Sequence, residues 1–210
     1  MGFSRSTSRT DAMAQLGNFI VGSLGNLLGA PVPETKLIFL THEFIAENPR
    51  CAELGAGYAH GSKHIPDVRD SARIVCDSDE NRERFAMLSV LYGWMDAKDR
   101  QYLYGEEFPN LVWSHNHGWF FPGGASWNVL TLFEAAPAEP DHNIRMQVEL
   151  TPQEIDVALG KLGDISDQAI VDVVCTVPEQ WNILDAERVG LVRFLTTRRD
   201  MLLDTKRKGG

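Results

Sequence analysis

The 210-residue chain has only three cysteines, Cys51, Cys76 and Cys175, widely spaced and with no Cys-x-x-Cys pair. That speaks against a disulfide framework or a cysteine zinc site and fits a reducing cytoplasm. Long apolar runs are missing as well. No stretch approaches the roughly 20 apolar residues of a membrane span. The opening "MGFSRSTSRTDAMAQ" lacks the apolar core of a signal peptide. Lysine and arginine number 20 against 29 acidic residues, for a formal net charge of −9. A general affinity for nucleic acid or anionic membrane is therefore not expected, since phosphate contacts need clustered positive charge. The one basic cluster, "DTKRKGG" at the chain's end, suits the negative pole of a fraying helix. No glycine run ends in Gly-Lys-Ser/Thr, so there is no P-loop, and no Gly-x-Ser-x-Gly elbow exists for a hydrolase triad.

What is present is 43% hydrophobic residues, with five tryptophans. That is enough for one substantial core, so a single domain of two lobes is the starting expectation. Residues 1–10 read as a flexible, polar arm. From Ala12 to Leu28, apolar residues recur at helical spacing behind Asp11 as a cap, and Gly29 with Pro31 gives the stop. Gly17, Gly22 and Gly25 weaken such a helix unless something packs closely on that face. "TKLIFLT" (35–41) reads as a short strand, and Glu47 to Arg69 as an irregular region. A second helix from Ser78 or Asp79 to Met95 is apolar almost all round, as a buried helix is. "NLVWSHNHGWFF" reads as one or two short strands, and "NVLTLFEA" and "NIRMQVEL" as further strands. Thr151-Pro152-Gln153-Glu154 is a capping box with proline at the first helical position. It opens a last third of three helices, the second stopped by Pro178.

The chemistry concentrates in "LYGWMDAKDRQYLYGEEFPNLVWSHNHGWFFPGG" (91–124), where polar groups crowd between aromatic anchors. His115 and His117, two apart on a strand, would share a face and could both bind a metal. Zinc wants a third protein ligand, however, and no Cys/His pair stands at a recognisable spacing, so hydrogen-bonded histidines in a polar turn are the expectation. The carboxylates and amides say more. Phosphoryl transfer needs an Asp to orient the hydroxyl nucleophile, a group shortly after it to hold magnesium, and a second metal ligand after a strand turn. Kinases write this as Asp-x4-Asn and then an Asp entering a Gly turn. Here the string is Asp96-x4-Gln101, a strand pair, and Asn116-His117-Gly118.

Those residues, in that order, resemble the HipA-like kinases over nearly the whole chain. "VGSLGNLLGAPVPETKLIFL" is similar to the family's helix and "LLGLPVPE" turn into a strand, and "GYAHGSKHI" to its Gly-Ser segment. "SVLYGWMDAKDRQYLY" resembles the "W-x-x-x-DRHxxNxL" catalytic loop, and "LVWSHNHGWFFPGG" the "IDHGHAFGG" magnesium segment. "ALGKLGDISDQAIVDVV", "VPEQWN" and "LTTRRDML" are similar to the closing helices and their RRD ending. The resemblance implies an α+β, protein-kinase-like C-lobe, mainly helical with a few short strands, with the N-lobe reduced or absent. It implies one domain over 11–210: a residual N-terminal part (11–77), the catalytic-loop region (78–150) and a helical C-terminal part (151–210).

The same resemblance assigns the catalytic role to Asp96, with Asp99-Arg100 offering a second register for the family's "DR". It assigns metal binding to Gln101 and Asn116, nucleotide binding to His117, and Mg2+ and ATP as cofactors of an active enzyme. The departures matter equally. Asn116 replaces an Asp, Gln101 replaces an Asn, and Asn18 stands near the place of the Glu that pairs the strand lysine. An uncharged amide is a poorer ligand for a hard dication than a carboxylate. Three readings follow. One is a degenerate kinase, a pseudokinase acting through a protein partner, as the toxin–antitoxin kinases in the family suggest. The second is an active Mg-ATP-dependent serine/threonine-type phosphotransferase whose N-lobe comes from a second chain. The third is a non-enzymatic structural domain in which the polar stretch is a satisfied buried network.

Overall fold

The computed structural model describes residues 8–209, with side chains through Thr205. The arm expected at 1–10 falls outside the described residues as far as residue 7, and the basic side chains of 206–208 also lie outside them. Helix α1 spans Arg9–Leu28. The Ser8 hydroxyl accepts from the Asp11 N–H at 3.2 Å and the Asp11 carboxylate accepts from the Ser8 N–H at 3.3 Å. Asp11 is thus the third residue of a capping box and not the cap itself, so the helix begins three residues earlier than its apolar spacing implies. At its far end Gly29 adopts φ 75°, and the Ala30 N–H reaches back to the Gly25 carbonyl at 2.8 Å. That is the left-handed stop that glycine permits.

Strands β1 (Thr35–Leu40) and β2 (Gly57–Ser62) pair antiparallel from Thr35 against Ser62 to Leu40 against Gly57. A short helix α2 (His42–Glu47) and a 3-10 turn lie between them. Strand β3 (Val68–Ser71) joins β4 (Tyr102–Gly105) and β5 (Val112–Ser114) in a three-stranded antiparallel sheet, order β3-β4-β5. The stretch 47–69 is therefore less irregular than expected. Its glycines and polar residues hide a strand that forms only by pairing with β1, a partner about twenty residues away in sequence.

Helix α3 (Asp79–Met95), capped by Ser78, runs through the centre and is buried continuously from Phe85 to Met95. Asn81, fully buried on it, accepts from the Val112 N–H at 2.9 Å and donates to the Pro109 and Asn110 carbonyls. One side chain thereby pins the β4–β5 connection to α3. Tyr102 and Tyr104 turn inward from β4, with Tyr102 against Phe85 and Tyr92.

Beyond β5 come α4 (Val129–Phe133), α5 (His142–Val148), α6 (Pro152–Gly163), α7 (Asp167–Cys175) and α8 (Asp185–Gly209). The first two replace the strands expected at 128–135 and 143–150. Asn128 accepts from the Leu130 and Thr131 N–H groups, and Asp141 accepts from Ile144 N–H at 2.8 Å. Those caps, with Ile144 and Val148 buried at a spacing of four, favour helix over the strand that β-branched residues suggest. Helices α5, α6 and α8 pack on α3, and α7 packs on α8 and α1; the capping box at Thr151 opens α6 as expected from the sequence. The result is α+β and mainly helical, with a few short strands.

Candidate functional site

The candidate site forms where α3 ends and the β4–β5 hairpin begins and closes. Asp96 caps α3 in the left-handed region, φ 61°, a conformation that Asp and Asn tolerate better than most residues. Its side chain is 11% exposed and lies between two cations, Lys98 Nζ at 3.0 Å and Arg198 Nη2 at 3.5 Å from Oδ1. Arg198, buried in α8, donates to the carbonyls of Trp94 at 2.8 Å, Gly93 at 2.6 Å and Ala136 at 2.5 Å. The last helix therefore clamps the end of α3. Burial lowers the Arg198 pKa, and Asp96 opposes that shift. Arg100, four residues on from Asp96, pairs with Asp141, the cap of α5. Two ion pairs thus tie the 96–100 loop to the helical layer.

Gln101 stands immediately before β4, and Asn116 two residues after β5 ends, itself left-handed at φ 57°. The hairpin register sets Tyr102 against Ser114, which brings the two amides together. Asn116 Nδ2 donates to Gln101 Oε1 at 2.9 Å, and Gln101 Nε2 donates to Asp99 Oδ2 at 2.9 Å. Asp99, Gln101 and Asn116 thus form one hydrogen-bonded chain. They line a cavity of about 440 Å³ together with Lys98, Trp119, Phe121, Gly123 and Gly124.

His117 goes elsewhere. The left-handed turn at Asn116 sends it into the core, 4% exposed, where Nε2 lies 2.9 Å from Ser114 Oγ, itself 2.7 Å from the Tyr92 hydroxyl. Burial, with His115 and His60 nearby, pushes its pKa down to about 3, so the ring is neutral at ordinary pH. His115 faces Asp70 instead, Nε2 at 3.5 Å from Oδ1. The pair shares no strand face, and among the described residues no group of three His, Cys, Asp or Glu could hold a metal. The turn is held from behind by α1, because a Cβ on Gly17 would meet the His117 carbonyl at 3.1 Å and Gly118 at 3.2 Å. This is the close packing that the glycines of α1 required.

The structure thus brings together three of the five residues picked out from sequence, Asp99, Gln101 and Asn116, while Asp96 pairs with Lys98 and Arg198 and does not line the cavity. His117 supports the turn from the core side. Lys98 and Arg198 were missed as site residues. Lys98 had a weak local signal, two residues past Asp96, whereas Arg198 had none beyond the "RRD" string.

Magnesium prefers near-octahedral oxygen ligands with carboxylates among them. Here Gln101 Oε1 already accepts from Asn116, one oxygen of Asp99 accepts from Gln101, and Asp96 faces two cations. The oxygens outside these contacts are the Asn116 amide oxygen and one carboxylate oxygen each of Asp99 and Asp96, the last on a side chain already turned to two cations. That donor set does not fit a dedicated magnesium site.

Residues 5–120 match the sequence model of the HipA-like kinases, which is more than half of the chain and extends from the start of α1 through the turn after Asn116. The chain belongs to the HipA-like kinase family. No curated protein and no solved structure matches it. The helical layer that supplies Arg198 and Asp141 lies beyond the matched residues. No helix of the described residues is long and apolar enough to cross a membrane.

Proposed function

We propose that this HipA-like kinase domain is a pseudokinase, acting by binding a protein partner and not by transferring phosphate. The observation that carries the reading is the hydrogen bond from Asn116 to Gln101. Of the two positions that hold metal in the kinase pattern, Gln101 keeps an amide and Asn116 has an amide in place of a carboxylate, and here each satisfies the other. A protein that used them for magnesium would break that contact to gain two neutral ligands, a poor exchange for a hard dication. Asp96 fits the same picture, since its ion pair with Arg198 and its cap position make it a structural carboxylate. His117 supports the turn, which leaves no role for it at a nucleotide.

One observation favours the active alternative: the cavity is lined by Lys98 and by the second carboxylate, Asp99, and has room for a phosphate group. The two readings part on magnesium-dependent nucleotide binding. ATP at about 100 times its dissociation constant adds roughly 2.7 kcal/mol of stability. In a protein of this length that raises the melting temperature by about 5–11 °C. The pseudokinase reading expects no rise with ATP and magnesium together over either alone. A magnesium-dependent rise of that size would establish a working nucleotide site and sink it.

A further inference from the structure

A second cavity of about 570 Å³ lies between α4 and α8, and its lining is distinct from that of the catalytic-loop cavity. Leu132 and Phe194 are buried in its floor, while Val189 and Met201 are exposed along it. Phe133 is 87% exposed beside them, the most exposed large apolar side chain among the described residues. Apolar surface of this kind, continuous along a helix and not scattered, marks a contact surface.

We infer that this groove docks an acidic amphipathic helix of a partner protein. The shape is that of a helix-in-groove site, an apolar trough flanked by a long helix. The charge selects the occupant. Among the described residues no carboxylate lines the trough, although the chain as a whole carries −9. The charged lining residues are Arg193 and Arg198. Arg198 is committed to Asp96 and three carbonyls, whereas Arg193 is exposed and has no ion pair among the described residues. A glutamate or aspartate on an incoming helix meets an available cation at that point. A second copy would bring another chain of net charge −9 against the groove. An anionic vesicle would face the chain's net charge of −9 over a broad surface, whereas a helix meets the chain only along the groove, where no carboxylate of the described residues lies.

Arg198 gives the groove a route to the catalytic loop, since the same guanidinium both lines the trough and clamps Asp96. The inference rests on the reading of the domain as a binding module and names the chemistry of its partner.

The test uses the full chain and a labelled three-heptad helical peptide with leucine at a, d and e and glutamate elsewhere. Its twin carries lysine for every glutamate, and binding is read by fluorescence anisotropy. The acidic peptide is expected to bind at least about tenfold more tightly than the basic one, as complementary charge at a groove rim requires. Arg193→Glu should reverse that preference, and Phe133→Ser should weaken both peptides without loss of folding, because its side chain is exposed. Equal binding of the twins, or binding indifferent to both substitutions, overturns the proposal. So does a dimer of the chain alone, seen by sedimentation and abolished by Phe133→Ser, or binding to anionic vesicles lost in Arg193→Glu. Nucleotide binding is measured on the same samples by melting. A magnesium-ATP response strikes the pseudokinase reading alone, and a failed peptide titration strikes the groove alone.

Discussion

Arg198→Met removes the clamp on the catalytic loop while keeping most of the apolar stem. Arg198 is 4% exposed in the wild type. Its loss strands three carbonyls, those of Gly93, Trp94 and Ala136, and leaves the Asp96 carboxylate with Lys98 alone. Hydrogen bonds to a charged group contribute about 1.5–3 kcal/mol each, but those from one side chain do not add. Removing one partner of a buried, hydrogen-bonded ion pair costs about 3–5 kcal/mol, and that is the expected loss. For a protein of this length it lowers the melting temperature by roughly 6–20 °C. Asp96→Asn should be far milder, about 1–2 kcal/mol, because Asn tolerates the left-handed cap and still presents an oxygen to Arg198. Urea unfolding followed by tryptophan fluorescence measures each variant and the double mutant, whose coupling energy should fall at about 0.5–3 kcal/mol. An Arg198→Met loss below about 1 kcal/mol, or no coupling to Asp96, would refute the clamp.

Two further perturbations probe the frame around the site. On Gly93 a Cβ would sit 2.0 Å from the Glu139 carbonyl oxygen and 2.8 Å from its carbon, both backbone atoms. Gly93→Ala should therefore destabilise by about 1–3 kcal/mol or more, and a urea midpoint equal to wild type would show that the approach is not rigid. The second concerns acid. His117 is neutral in the folded protein, its pKa pushed down to about 3, and takes up a proton on unfolding below the ordinary histidine range. Its folded pKa is depressed, so stability present above pH 6.5 is lost as pH falls toward 3. Between pH 6.5 and 5 the loss from this residue approaches about 2 kcal/mol. His117→Gln, compared over the same range, should lose less stability with acid. An unchanged pH slope would mean that the ring is already protonated or solvated.

The helices were legible where local signals agree. Ser78 and Thr151 cap their helices, Pro152 opens one and Gly29 closes another, each acting within a few residues. Strand β2 was not legible, because Tyr58-Ala59-His60-Gly61 becomes extended only through its pairing with β1. Helix α4 looked like a strand because Val, Leu and Phe dominate it, and α5 because Ile144, Met146 and Val148 alternate with polar residues; the decisive signals were the caps Asn128 and Asp141. At the site, the spacing set Gln101 and Asn116 at the two ends of the hairpin, whose register brings them together. It did not foretell where His117 points, since the left-handed turn at Asn116 decides that. Nor did it foretell that Arg198 and Asp141, far along the chain, pair with Asp96 and Arg100.

The central claim is that Asn116, an amide in place of a carboxylate and paired with Gln101, does not serve a magnesium-nucleotide site. Calorimetric titration of the wild-type chain with ATP, with and without magnesium, tests it most directly. Asn116→Asp run in parallel restores one carboxylate to the cavity. The account predicts no magnesium-dependent heat for the wild type, with Asn116→Asp alone gaining any. Magnesium-dependent binding of ATP by the wild type at micromolar concentration would contradict it.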